Sequence, residues 1–364
     1  MGYKKCSLPD YPVICDMWDE LASETRPIVV YGMGNGADKL FSRLEKYGVA
    51  PVDIFASDGF VRGHSFHGMK VLSFSEIKEK YDDFVILLSF ASNREDVIGM
   101  LSEINDKYDM YVPDMPVANE EEYFDKDFFN EHYTEIKKAY DSLCDEDSKN
   151  AFSSIIRYKL SGRMSYLLDC FSTKDELYSL FSTEKIASVI DVGAYNGDTV
   201  CEARSYFPAL RRLTAIEPDP KNFKRLLKTV SGIDSVDIRC VNAAAFDSVG
   251  QTAFSSSGNR NSTVSATSSF EHKSTSVDLI TLDSLQLDAD YIKYDVEGAE
   301  LEALIGSHNT ILNSRPALLV SLYHRSRDIF FLINYLAEKY PFYKLTLRRL
   351  FCLPAWEIDL VLTV

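Results

Sequence analysis

Apolar positions along the chain fall into two blocks where short runs alternate with helical stripes, separated by a block that is helical throughout. In the first block, Ile28 to Tyr31 is an apolar run bounded by Pro27 and Gly32. It is too short for a helix and predicts a buried strand. Gly32, Gly34 and Gly36 mark a turn, Asp38 to Tyr47 carries a helical stripe, and Val52 to Ala56 is a second strand-like run. Together they predict a βαβ unit. A helical stretch near Phe74 to Tyr81 leads to the apolar run Asp83 to Phe90. SNREDVIGMLSEI then predicts an amphipathic helix capped by Ser92 or Asn93. Residues 26 to about 115 thus predict a small doubly wound α/β domain, preceded by a helical arm.

From Pro116 to about Ser182 the strand-like runs vanish, as in FFNEHYTEIKKAYDSLC and AFSSIIRYKLSG. The spacing predicts a packed helical connector, and its aromatic stripe (Tyr123, Phe124, Phe128, Phe129, Tyr133) reads first as core. A homodimer interface or a wall of a binding pocket is the other use of such a stripe. From Glu184 alternation resumes: strand ASVIDVG, helix TVCEARSYF, strand LTAIEP, helix NFKRLLKTV and strand VDIRCVNAAAF. DYIKYDVEG, the helix AELEALIGSHNTIL, PALLVSLYH, the helix Ile329 to Lys339, and the strands YKLTLRRL and EIDLVLTV follow. The Ser/Thr-rich stretch Ser255 to Ser276 interrupts this order, and polar/apolar alternation at Thr263 to Ala266 and Thr275 to Ile280 suits a β-hairpin insertion. The expected architecture is two doubly wound, Rossmann-like domains at 1–115 and 183–364, joined by the connector at 116–182. The second has about seven strands, and such sheets bind ligands beyond the C-terminal ends of their strands.

Composition narrows the function classes. The formal charge is −16, with 39 basic and 55 acidic side chains. That balance disfavours a nucleic-acid partner. No apolar run is long enough to span a membrane, and the acidic N-terminal stretch does not read as a signal peptide. Cys6 stands where a myristoylation signal wants Ser or Thr. The seven cysteines are scattered without a C-x-x-C pair, so free thiols in a reducing cytoplasm are expected.

The chemistry concentrates at Asp191-Val-Gly-Ala-Tyr-Asn-Gly-Asp-Thr199, between a predicted strand and helix. Gly193 and Gly197 permit tight turns and close backbone approach. The helix start offers unpaired N–H groups to a carboxylate. Asp191 and Asp198 disfavour phosphate, and no G-K-[ST] follows, so a P-loop is excluded. A ligand with an ammonium, a sulfonium and a carboxylate suits this loop, and S-adenosylmethionine has all three. Glu217 ends the next strand, where an acid accepts hydrogen bonds from ribose hydroxyls. Asn242, Ala243 and Ala244 end the third, where an adenine ring would lie. Asp295 and Glu297 follow the fourth strand and His324 the fifth. A hydroxyl acceptor needs a base or strong orientation, and His324 is either that base or a residue shaping the rim. Glu297 could instead cap the next helix. Asp295 and His324 are too few to predict a metal.

DVGAYNGDT, AIEPDPKNF, IKYDVEGAELEAL and PALLVSLYHRSRD resemble the FkbM-type methyltransferase family, from about Leu177 to the C-terminus. The block Asp295 to Glu300 and the pair Tyr323-His324 are its more specific marks, and Tyr195 replaces the middle glycine of the generic loop, as is usual in that family. The resemblance implies a class I methyltransferase sheet, S-adenosylmethionine as cofactor, and O-methylation of a sugar or natural-product hydroxyl. It implies the cofactor roles of Asp191, Gly193, Gly197, Asp198 and Glu217; Ala194, Tyr195, Thr199, Pro218, Asn242 and Ala243 are the further candidates at the same strand ends, and Asp295, Glu297 and His324 are the candidate catalytic groups.

The N-terminal loop is a second, weaker candidate. Gly32, Gly34, Asn35 and Gly36, with Asp58 after the following strand, match a nucleotide-binding arrangement in spacing, Ala37 standing for the last glycine. The domain either holds a nucleotide-linked acceptor or is structural. His64 and His67 lack a third metal ligand and read as loop residues. Two other functions fit parts of the pattern: a cofactor-binding regulatory protein without turnover, and a nicotinamide-dependent oxidoreductase using Gly32 to Gly36. The latter has no need of the AIEPD and DVEGAE blocks.

Overall fold

A computed structural model of the chain describes residues 5–61, 63–118, 122–255 and 274–364. After helix α1 (Met17–Ser23), strands β1 (Ile28–Tyr31), β2 (Asp53–Ala56), β3 (Ser65–Phe66), β4 (Met69–Ser73), β5 (Val85–Leu88) and β6 (Asp109–Tyr111) form one sheet. Its order is β3-β4-β2-β1-β5-β6, parallel except for the β3–β4 pair. Helices α2 (Asn35–Lys46), α3 (Phe74–Lys80) and α4 (Glu95–Asn105) link the strands. The β3–β4 hairpin was not expected from the sequence. Its turn is His67-Gly68, with φ of 48° and 78°, and a histidine hides a turn signal that asparagine usually gives. The expected caps of α4 do not form: its N-cap is Arg94, without a side-chain hydrogen bond. Ser92 is instead drawn into a backbone bridge with Leu353.

The connector contains α5 (Lys126–Glu131), α6 (Tyr133–Ser142), α7 (Glu146–Ser161), α8 (Ser165–Leu168) and α9 (Lys174–Tyr178). Asp145 caps α7 by accepting the Ser148 N–H at 2.6 Å, and Gly162 ends it in the left-handed region at φ 64°. Helix α7 is buried on most sides, through Phe152, Ile155, Ile156 and Tyr158 among others.

The C-terminal part has strands β7 (Ser188–Val192), β8 (Arg212–Ile216), β9 (Asp237–Val241), β10 (Ala244–Ala245), β11 (Gly250–Ser255), β12 (Ser274–Ile280), β13 (Tyr291–Tyr294), β14 (Ala317–Ser321), β15 (Lys344–Arg349) and β16 (Ile358–Thr363). Its helices are α10 (Asp198–Tyr206), α11 (Pro220–Val230), α12 (Leu282–Leu285), α13 (Glu300–Ile305), α14 (His308–Ser314) and α15 (Asp328–Lys339). The main sheet has seven strands in the order β15-β16-β14-β13-β7-β8-β9, with β16 antiparallel to both neighbours. The expected third strand divides: β10 leaves for a small sheet, β10-β12-β11. The Thr275 to Ile280 run pairs antiparallel with Gly250 to Ser255, whereas Thr263 to Ala266 lies outside the described residues. The expected helix after β13 breaks into α13 and α14 at Gly306, where a Cβ would stand 1.9 Å from the Phe246 carbonyl oxygen.

One continuous core runs through all three parts, including Val29 and Phe84, then Phe152 and Ile155, then Ile292, Leu318 and Leu360. Backbone pairing adds to it around the loop between β15 and β16. Ser92 and Leu353 exchange hydrogen bonds of 2.7 and 2.9 Å, and Ser172 N–H donates to the Arg349 carbonyl at 2.7 Å. The fully buried Arg349 guanidinium donates to the carbonyls of Leu350 (3.0 Å), Cys352 (2.8 Å) and Leu167. Its charge is thus spent on carbonyls that would otherwise be buried without donors. Arg349→Met should therefore cost about 2–4 kcal/mol of stability, read as a lower denaturant midpoint; an unchanged midpoint would show that the loop does not need this anchor.

Candidate functional site

The main cavity, about 820 Å³, opens over the C-terminal ends of the central strands, as expected at a topological switch point. The loop after β7 forms one wall. Gly193, Tyr195 and Gly197 all take positive φ, at 95°, 45° and 91°. Gly193 is glycine for a packing reason as well: a Cβ there would lie 1.8 Å from the Asp295 carbonyl oxygen. Its N–H and that of Ala194 both donate to the Ile216 carbonyl, at 2.9 and 3.0 Å. The strained Tyr195 is held by its N–H, which donates to Glu217 Oε2 at 3.0 Å.

Two buried carboxylates stand at adjacent strand ends. Asp191 accepts from the Thr199 hydroxyl through Oδ2, while its Oδ1 is buried without a hydrogen-bond partner among the described residues. Burial pushes its carboxyl up to about 6, against the pull of Lys293 and Thr199. Glu217 accepts the N–H groups of Tyr195 and Asp219, the latter at 2.8 Å. Burial nevertheless pushes it up to about 8. Asn242 Nδ2 donates to the carbonyls of Glu217 and Pro218 at 2.8 and 3.1 Å, which fixes that turn.

Another group of polar side chains is built on β13 and β14. Lys293, the register partner of Asp191, donates to Asp295 Oδ2 at 2.8 Å, and Tyr323 donates to Oδ1 at 3.2 Å. Burial alone would raise Asp295, but Lys293, His324 and these hydrogen bonds hold it well below the usual carboxylate range. His324 is fully buried. Its Nδ1 lies 2.9 Å from Glu300 Oε1, and its Nε2 lies 3.5 Å from both Asp295 Oδ1 and Glu297 Oε2. Burial opposes its protonation, yet Glu300, Glu297 and Asp295 outweigh it and push the imidazole up to about 10.

Gly193, Tyr195, Asp198, Thr199, Glu217, Pro218, Ala243, Asp295 and Glu297 line the cavity. Asp191, Ala194, Gly197, Asn242 and His324 are not among the lining residues. Lys293, Glu357 and Asp359, together with Phe171 and Lys174 of the connector and Asn93 and Glu95 of the N-terminal domain, also line it without having been singled out from the sequence. The N-terminal loop is placed differently. A Cβ on Gly36 would stand 2.1 Å from the Ser89 carbonyl, and one on Gly32 2.7 Å from the Phe90 ring, so these glycines seat the chain after β5. Gly34 is the N-cap of α2 and Asn35 its first residue. Asp58 accepts from Ser75 Oγ at 2.8 Å and lines a separate cleft of about 460 Å³, apart from the glycines. His67 pairs with Asp38 at 2.8 Å and stacks on Phe41. Among the described residues no group of three or more His, Cys, Asp or Glu side chains could hold a metal ion, and no helix is long and apolar enough to cross a membrane.

Residues 191–342 match the family model described as the methyltransferase FkbM domain. The chain is similar to the crystal structure of a methyltransferase FkbM from Methylobacillus flagellatus KT, with a TM-score of 0.70 and 18% identity over 99% of this chain and 95% of that one. The shared fold therefore extends through the N-terminal domain and connector. Aeropyrum pernix fibrillarin, crystallised with natively bound S-adenosyl-L-methionine, is far more distant, at a TM-score of 0.34 and 13% identity over 52% of this chain and 74% of that one. No curated protein matches the sequence.

Gly193→Ala should separate the β7 loop from the end of β13. With both the backbone clash and a positive φ, it should cost about 2–4 kcal/mol or abolish soluble folded protein. A variant as stable as the parent would show that the two segments need not touch.

Proposed function

We propose that the protein is an S-adenosylmethionine-dependent methyltransferase acting on a hydroxyl of a carbohydrate-type acceptor, a reading supported by the match of residues 191–342 to the methyltransferase FkbM domain model. The observation that carries this reading is the pair of under-compensated buried carboxylates at adjacent strand ends: Glu217, which lines the cavity, and Asp191, which stands behind the lining loop residues Gly193 and Tyr195. Such a pair calls for hydroxyl donors and positive charge. The residues fit the cofactor. Glu217 would take the ribose hydroxyls, Ala243 and Ile216 would flank the adenine, and the Asp191 loop would hold the amino-acid end. When bound, S-adenosylmethionine supplies a methyl group on a sulfonium, whose sulfur keeps the bonding pair as the new O–C bond forms.

The protein's own groups orient the acceptor. Asp295, kept ionised by Lys293, would accept a hydrogen bond from the hydroxyl and take its proton as the oxygen gains the methyl group. Tyr323 and Lys293 fix the orientation of that carboxylate. A neutral imidazole has one donor nitrogen and one acceptor, so His324, with carboxylates at both nitrogens, would be an imidazolium. In this reading it positions Asp295 and Glu297 from below and does not act as the base.

Only ionised Glu217 accepts two ribose hydroxyls fully, so cofactor affinity should rise about tenfold between pH 7 and pH 9, as its carboxyl loses a proton near 8. Glu217→Gln should flatten that rise and weaken binding by about tenfold or more at pH 9, measured by calorimetry. A pH-independent affinity in the parent would remove Glu217 from the ribose role. Asp295→Asn should leave cofactor affinity near the parental value and lower turnover by roughly 10²-fold or more, followed by methyl-labelled cofactor with a glycan extract; parental turnover would clear Asp295 of the proton-accepting role.

A further inference from the structure

The turn after β13 carries backbone strain at the cavity wall. Glu297, which lines the cavity, takes a left-handed φ of 55°, and Gly298 follows at 97°. A non-glycine residue stays in that region only where its surroundings over-determine it. Here the surrounding contacts converge on Glu300, at the start of α13 and only 1% exposed. Its Oε1 accepts the N–H groups of Val296 and Gly298, at 2.9 and 3.4 Å, on either side of Glu297. The same oxygen lies 2.9 Å from His324 Nδ1. Its Oε2 is buried without a hydrogen-bond partner among the described residues. The other imidazole nitrogen, Nε2, stands 3.5 Å from both Asp295 Oδ1 and Glu297 Oε2. One carboxylate oxygen thus joins the strained turn to the histidine that faces both cavity-lining carboxylates of that turn.

Helix capping alone does not account for this arrangement. A capping carboxylate is satisfied by backbone donors and water, and burying it costs free energy unless it is paired. Asp328, at the start of α15, is the other carboxylate that acts on His324. It accepts the Arg325 N–H at 2.9 Å, and burial, then Glu300, push its carboxyl up. Glu300 is therefore the carboxylate that meets Nδ1. The turn has little room to drift, because a Cβ on Gly298 would stand 3.1 Å from Arg325 Nε and 3.2 Å from the Ala118 Cβ.

Resting on the methyltransferase reading, we propose that Glu300 is a positioning residue for the transfer: it holds Glu297 in its strained conformation and His324 against the turn, so that Asp295 and Glu297 meet the acceptor in one fixed arrangement. Glu300→Gln separates this role from capping. The Val296 N–H, the Gly298 N–H and His324 Nδ1 all face Oε1, so the amide oxygen takes that place and the turn keeps its acceptor. With the negative charge gone, the imidazole gives up a proton more easily. Its Nδ1–H still faces the amide oxygen, and Nε2 then turns a lone pair on Asp295 and Glu297. The two carboxylates are pushed out of register with the acceptor.

NMR of the full-length protein with nitrogen-labelled histidine rings, His324 being assigned through its backbone signals, reads the first consequence. In the parent both ring nitrogens should carry protons from pH 6 to pH 9. In Glu300→Gln the midpoint should fall by about one pH unit or more, into that range. A neutral His324 at pH 7 in the parent, or a variant still doubly protonated at pH 9, would overturn the proposal. Transfer from methyl-labelled S-adenosylmethionine to a polar glycan extract reads the second. Glu300→Gln should keep the parental thermal midpoint and cofactor affinity, yet lower turnover at pH 8 by roughly tenfold or more. Turnover should recover as the pH is lowered through the imidazole midpoint. Parental turnover, or a loss matched by the loss of folded protein, would leave Glu300 a cap and sink the idea. Failure of the underlying reading is distinguishable, because it would show as no binding of S-adenosylmethionine to the parent in calorimetry, whatever the state of His324.

Discussion

At the centre of the seven-stranded sheet the Lys293 ammonium lies 2.8 Å from Asp295 and interacts with Asp191 and Asp359, its side chain only 15% exposed. These carboxylates come from β7, β16 and the end of β13, and without a cation among them they would repel one another at low dielectric. Burial works against the lysine's charge, but Asp295 and Asp191 hold its pKa well above the ordinary value. The result is a division of labour. Asp295 remains ionised beside its cation, while Asp191 and Glu217, farther from compensation, hold their protons more tightly. In the proposed function a cationic, hydroxyl-rich cofactor would relieve Asp191 and Glu217, and an acceptor hydroxyl would use Asp295.

The N-terminal domain takes part through packing. The Ser92–Leu353 bridge and the Arg349 carbonyl contacts tie the N-terminal sheet and the connector to the loop between β15 and β16. That loop leads into Glu357 and Asp359, and Asn93 and Glu95 face the same cavity. A core continuous through Val29, Phe152 and Ile292 joins this wall to the rest of the protein. The glycines at 32 and 36 fit this role, since they let the chain after β5 approach β1 closely, and Asp58 spends its carboxylate on Ser75.

Much of this was legible in the sequence wherever local pattern and function coincide. The strands ending at Val192, Ile216 and Tyr294 are apolar runs followed at once by Gly193, Glu217 and Asp295, so both the fold and the candidate cofactor loop could be read together. Lys293 was also visible, as a charge inside an apolar strand, but its meaning depends on its register with Asp191 across the sheet. Glu357 and Asp359 read as the polar positions of a terminal strand. Only the antiparallel direction of β16 brings the start of that strand to the edge where its neighbours end. His324 could be read as a base or as a residue shaping the rim, and Glu300, 2.9 Å from its Nδ1, is brought to it by the turn after β13, which the sequence did not show. Asn93, Glu95 and Phe171 belong to other parts of the chain, and no local signal could have joined them to the cavity.

The account turns on the ligand of the main cavity, and a calorimetric titration of the purified protein with S-adenosylmethionine and, separately, with NAD tests it most directly. It predicts saturable one-to-one binding of S-adenosylmethionine and no heat from NAD. Saturable binding of NAD with none of S-adenosylmethionine would contradict it.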